Sequence, residues 1–120
     1  MLNSITTFFI ALIALLHVYI LVLEMFLWDK PAGRKAFGHS LEKAKESKVL
    51  AANQGLYNGF LAAGLFWGLY LGDAGFEIKV FFLSCILVAG IYGGITARRK
   101  ILYIQAGPAL TALLLLVLNG

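Results

Sequence analysis

The sequence predicts an all-α integral membrane protein: a four-helix bundle with antiparallel neighbours and both termini on the outer side. Three observations lead there. Hydrophobic residues make up 61% of the 120 and charged residues 13%, whereas a soluble domain has about 45–50% and about 25%. The apolar residues collect into four runs, each close to the roughly 20 residues that a helix needs to cross hydrocarbon. The lysines and arginines fall mainly in the first and third connections between these runs, the asymmetry that sets membrane orientation. The length allows a single domain over residues 1–120. The net charge of +4 lies in short connections and accompanies no nucleic-acid-binding motif, so nucleic acid is not an expected partner.

The first run covers residues 3–28. It has no basic segment before it and no cleavage site leading into a soluble domain, and so reads as a retained helix rather than a signal peptide. The second covers 41–71. Its charged start, Leu41 to Lys48, favours helix, and Ser40 is suited to cap it. The third covers 78–97 and the fourth 101–118, where Pro108 removes a backbone donor and predicts a kink. Short connections make successive helices antiparallel neighbours. Lys30, Arg34, Lys35, Lys43, Lys45 and Lys48 mark the first connection and Arg98, Arg99 and Lys100 the third. Both therefore belong in the cytoplasm, with the chain crossing the membrane several times. Gly55/Gly59, Gly64/Gly68 and Gly90/Gly94 each have the GxxxG spacing that lets helices approach closely, within one chain or between subunits. Cys85 lies in an apolar run with no metal-ligand spacing around it and reads as a packing residue.

The polar residues inside these runs are the candidate site. On the first helix His17 and Glu24 are seven residues apart, almost two turns, and share a stripe near Asn3. On the second, Asn53, Gln54, Tyr57 and Asn58 fit within an arc of about 140°, with Gly55 and Gly59 facing the other way. At about 1.5 Å per residue, Glu24 lies about 6 Å and His17 about 16 Å inside Trp28. Asn53 and Gln54 lie about 8–9 Å inside Lys48, Tyr57 and Asn58 about 14–15 Å, and Gln105 about 8 Å inside Lys100. Tyr92 is at a similar depth from Arg98. The shared depth predicts a polar pocket open to the cytoplasm. Glu24 and His17 are its candidates for proton handling. Asn53, Gln54, Tyr57, Asn58, Gln105 and Tyr92 would bind the ligand, and Arg34, Arg98, Arg99 and Lys100 would form a rim that attracts an anionic group. The competing reading is a satisfied network in which Glu24 snorkels and the amides bond helix to helix. One His and one Glu are too few for a zinc site, and His39 lies in the first connection, so no metal is expected.

Residues 17–28 (HVYILVLEMFLW), 33–38 (GRKAFG) and 48–64 (KVLAANQGLYNGFLAAG) resemble the small bacterial membrane family called domain of unknown function 1304. The likeness runs over nearly the whole chain and implies four membrane helices; it implies no activity. Residues 49–64 are also similar, more remotely, to the membrane-associated proteins of eicosanoid and glutathione metabolism. Asn53 and Tyr57 match an Asn and a Tyr of their second helix, while Leu56 stands in place of an acid and Val49 in place of a glutathione-holding arginine. That likeness implies trimers with sites between subunits near the cytoplasmic face. Small multidrug exporters share the length and helix number, but their essential acid is mid-membrane, whereas Glu24 lies near the cytoplasmic end.

The expected protein binds a small or amphipathic ligand in a cytoplasm-facing pocket. The alternatives are a structural or assembly protein, a glutathione-transferase-like enzyme, and a proton-coupled transporter. The expected partners are the lipid bilayer, a small-molecule ligand and further copies of the chain, as dimer or trimer. Neither a cofactor nor a reaction is indicated.

Overall fold

The computed structural model describes residues 2–119. The order is α1 (Leu2–Met25), α2 (Pro31–Phe37), α3 (Leu41–Leu71), a 3-10 turn (Gly72–Gly75), α4 (Phe76–Thr96), the single turn α5 (Arg99–Ile101), a π-helical segment (Leu102–Ala106) and α6 (Gly107–Asn119). Among the described residues there is no strand. Among the described residues three continuous stretches are long and apolar enough to cross a membrane: Asn3–Met25, Leu41–Thr96 and Arg99–Asn119. The middle stretch, 56 residues long, holds both the second and the third expected runs. Gly72 adopts φ 62° at the end of α3, a left-handed conformation open to glycine without steric cost. Residue contacts group the chain into two compact units, Leu15–Ala62 and Met1–Ala14 with Ala63–Gly120.

In the unit Leu15–Ala62, α3 buries Ala44, Ala51, Gly55, Asn58 and Ala62, a seam of small residues at helical spacing. At Gly55 the backbone of α3 comes close to α1. A methyl group there would stand 2.6 Å from Met25 Cγ and 3.2 Å from the Leu21 carbonyl oxygen. The glycine pair at 55 and 59 is therefore used within the chain, against the last two turns of α1.

The first helix stops at Met25, three residues before the expected end. Phe26 donates to the Val22 carbonyl at 3.0 Å in an ordinary helical bond, and Leu27 donates to the same carbonyl at 3.2 Å, a widened bond that closes the helix. The physical reason lies in α2, which stands where the sequence predicts only a connection. Gly33 of α2 rests on the Leu27 carbonyl with no room for a Cβ. The signals for α2 were present: Pro31 at its first turn, and Gly38 as C-cap at φ 68°, donating to the Arg34 carbonyl.

Trp28 then anchors the connection. Its Nε1 donates to Ser47 Oγ at 3.0 Å, and its ring lies 4.8 Å from Phe37 and 4.2 Å from His39 between centroids. His39 Nε2 donates to the Trp28 carbonyl at 3.1 Å. Beside it Lys48 Nζ donates to Asp29 Oδ2 at 3.1 Å, a bond that holds the Asp29 carboxyl below the usual carboxylate range. Ser40 caps α3 as expected, its Oγ accepting from the Lys43 N–H at 3.2 Å.

In the other unit, the end of α3 and the start of α4 form an antiparallel hairpin. Gly64 packs on the Phe82 ring, and Gly68 on Lys79 and Gly75. Lys79 is buried, and its ammonium donates to the Gly72 carbonyl at 2.9 Å, which neutralises the C-terminal end of α3. On α4, Lys79, Leu83, Ile86 and Gly90 form the buried stripe. Gly90 meets Ala106 and Gln105, and Gly94 meets Leu102, so this glycine pair also packs inside the chain. Pro108 has no N–H to offer the Ile104 carbonyl. The helix answers with a π turn just before it, in which the Gly107 N–H reaches back five residues to the Leu102 carbonyl. The expected kink is thus expressed as a widened turn. Asn119 Nδ2 donates to Thr6 Oγ1 at 2.9 Å and ties the end of α6 to the start of α1.

Candidate functional site

The buried acid of α1 is the centre of the candidate site. Glu24 is 7% exposed, Asn58 is 4% exposed and His17 is fully buried. Asn58 Nδ2 donates to Glu24 Oε1 at 2.6 Å and, more weakly, to the Gln54 carbonyl at 3.3 Å. Close approach at Gly55 produces this geometry: a methyl group there would stand 3.1 Å from Glu24 Cβ. Asn58 lies about 60° around the helix from Gly55, at the edge of the contact face. The sequence reading set the polar arc opposite the glycines. In the structure one end of that arc reaches the glycine face and the rest turns away.

Asn53, Gln54 and Tyr57 belong to that remainder and are exposed, Tyr57 beside the Phe60 ring. The stretch 53–58 therefore divides into a buried amide that holds the acid of α1 and an exposed polar face. Glu24 and His17 share the buried side of α1 as expected from their spacing. Seven residues place them about 10 Å apart along the axis, too far for a direct hydrogen bond.

The Glu24–Asn58 bond has a specific chemistry. The amide N–H is a neutral donor, and a carboxyl oxygen accepts it whether or not the acid carries a proton. The pair can thus persist through a change in the charge of Glu24. It also joins two helices through a short bond in a water-poor setting, where leaving either group unpaired is expensive.

Gln105 is half-buried against Gly90 of α4, and Tyr92 is exposed. Of the expected rim, Arg98, Arg99 and Lys100 are exposed, while Arg34 is half-buried within α2 and its Nε is enclosed. An open depression is lined by Asn3, Ser4, Thr7, Phe8 and Ala11 at the start of α1, and none of the expected ligand-binding residues contributes to it. Cys85 is a free, half-buried thiol. Among the described residues no three His, Cys, Asp or Glu side chains converge in a way that could hold a metal ion.

Two polar roles escaped the sequence reading. Lys79 is the partner of a helix end, and the reversal at Gly72 brings the carbonyl within its reach. Trp28 and Ser47 hold the first connection on α3, a pairing that depends on where α1 ends.

Known proteins match over most of the chain. The model of a family described as "Protein of unknown function (DUF1304)" covers residues 11–117. The chain is also similar to "Uncharacterized protein YpaA" of Lactococcus lactis subsp. lactis (strain IL1403), 34% identical over 105 residues, which is 86% of this chain and 88% of that protein. No solved structure matches. With the family model matching all but the two ends, and with the buried Glu24–Asn58 pair and the glycine seams inside the matched region, the chain belongs to the DUF1304 family.

Proposed function

We propose that this is a multi-pass protein of the bacterial inner membrane, a single transmembrane domain with both termini outside, that binds a small or amphipathic molecule at the polar face of α3. Asn53, Gln54 and Tyr57 supply the contacts, and Glu24 with Asn58 forms the support behind them. One observation carries the reading. Three hydrogen-bonding side chains stay exposed at a depth where hydrocarbon would surround them, while the acid beside them is already satisfied by Asn58. Polar groups at such depth face a cavity, a ligand or another polypeptide.

The test is a melting measurement on the purified protein in detergent. The probes are a medium-chain fatty acid, a lysophospholipid and reduced glutathione, added singly to the wild type, Asn53→Ala and Tyr57→Phe. The expected result is a rise in melting temperature with one amphipathic probe, reduced in both variants. No shift with any probe, or equal shifts in all three proteins, refutes the reading. A rise with glutathione alone favours the transferase-like alternative.

A second reading has its own support. Asn53 and Gln54 carry amides, which donate and accept equally and so complement a second copy of themselves. The same face then holds a homo-oligomer together. Asn53→Leu would lower the oligomeric mass measured in detergent under this reading and leave it unchanged under the first.

A further inference from the structure

We propose that the tip of the hairpin formed by α4 and the π segment binds the anionic headgroup of a phospholipid. The proposal rests on the membrane placement above, but not on the ligand reading of α3.

Charge is the first observation. Arg98, Arg99 and Lys100 are consecutive and all exposed. No Asp or Glu follows Glu77 in the sequence, so the segment from Ile78 onward supplies no counter-charge. The other cation of that segment, Lys79, is buried on the Gly72 carbonyl. Among the described residues the ion pair lies elsewhere, between Lys48 and Asp29. In the first connection Asp29, Glu42 and Glu46 stand among the six cations, so about half of their charge is offset locally. The two basic connections look equivalent in sequence; their charge environments are not.

The second observation is the frame around the cations. Tyr92 and Tyr103 flank them, 69% and 67% exposed, and a phenol with an apolar ring and a polar end suits the headgroup level. The tip itself is tied. Arg98 N–H donates to the Gly93 carbonyl at 3.0 Å and Ile101 N–H to the Arg98 carbonyl at 3.1 Å. Gly93 packs on Ile101, and Gly94 on Leu102. The three cations therefore start from a backbone that is already ordered, and only side-chain freedom is lost when they gather on one anion. Guanidinium groups bind a phosphodiester through two parallel N–H donors, and the lysine adds a compact charge.

The experiment uses the full chain in a neutral detergent, titrated with short-chain phosphatidylglycerol, short-chain phosphatidylcholine or inorganic phosphate, and read by native mass spectrometry and melting temperature. Each cation near an anionic lipid contributes roughly fivefold in affinity, so the combined Arg98→Gln, Arg99→Gln and Lys100→Gln variant should bind phosphatidylglycerol about a hundredfold more weakly. Phosphatidylcholine and inorganic phosphate should give neither stable adducts nor a melting shift. A control variant, Lys35→Gln with Lys43→Gln and Lys45→Gln, should stay within a few-fold of wild type. Arg98→Lys with Arg99→Lys keeps the charge but loses the paired donors, so its affinity should fall between those of wild type and the glutamine variant, which guards against simple misfolding of the glutamine variant. Equal affinity in the tip variant and wild type, equal losses in tip and control variants, or saturation by inorganic phosphate overturns the proposal. Carbonate washing of membranes separates the two levels. A chain that washes off defeats the membrane placement and this inference together, whereas a retained chain with no lipid preference defeats this inference alone.

Discussion

Asn58→Leu isolates the bond that joins α1 to α3 within the unit Leu15–Ala62. The substitution keeps roughly the same volume and removes the donor 2.6 Å from Glu24 Oε1. A hydrogen bond to an ionisable partner contributes about 1.5–3 kcal/mol in proteins, while bonds between membrane helices average about 0.6 and reach about 1.7 kcal/mol. This bond is short and both partners are buried, so its coupling should lie near the top of the membrane range, about 1.5 kcal/mol. Asn58→Leu alone should lower stability by about 2 kcal/mol, because the Glu24 carboxyl is left buried without its donor. Glu24→Leu alone should cost less, since Asn58 keeps its bond to the Gln54 carbonyl. The double variant should recover much of the loss, and Glu24→Gln, which still presents an acceptor, should be the mildest of all. The assay is reversible unfolding in mixed detergent micelles, with the four proteins arranged as a double-mutant cycle. Additive losses, with coupling under about 0.3 kcal/mol, would refute the idea that this bond clamps the helices.

Other substitutions probe the same frame. Gly55→Ala should destabilise by about 1–3 kcal/mol, since its methyl group meets Met25, Glu24 and the Leu21 carbonyl. Gly59→Ala meets only the mobile tip of Leu21 and should be milder, a ranking that melting temperatures in detergent will check. Trp28→Phe and Ser47→Ala each remove the bond between Nε1 and Oγ, and should lower stability by similar amounts of about 1 kcal/mol. Their combination should be no worse than Trp28→Phe alone, as thermal unfolding will show. Asp29 has its pKa lowered by Lys48, so its contribution is complete above the unfolded carboxylate value near about 4 and disappears as pH falls through the lower folded value. The stability gap between wild type and Asp29→Asn should therefore close on acidification from neutral pH, and shrink in high salt because the pair is exposed. A gap that widens in acid would contradict this assignment.

Much of the architecture was legible in the sequence because it depends on local quantities. Run length and hydropathy set four helical stretches, and Ser40 and Pro108 marked a cap and a disruption that the structure contains. Relations between helices were decided only by tertiary structure. A helical wheel places Asn53, Gln54, Tyr57 and Asn58 in one arc but does not say which face of α3 will pack. Glycine decides that, because backbone approach at Gly55 gains dispersion contacts along the whole seam. The seam takes Asn58 inside to Glu24 and leaves the other three polar groups exposed. Arg34 and Lys79 show the same division. Arg34 is half-enclosed in a helix that Gly33 seats against the end of α1, and Lys79 is buried on a carbonyl that the turn at Gly72 delivers. The four apolar stretches and the basic connections follow from composition along the chain, since hydrophobic transfer and helix propensity act residue by residue. Which polar groups satisfy one another follows from packing, since a hydrogen bond needs two partners within about 3 Å and only the folded backbone sets that distance.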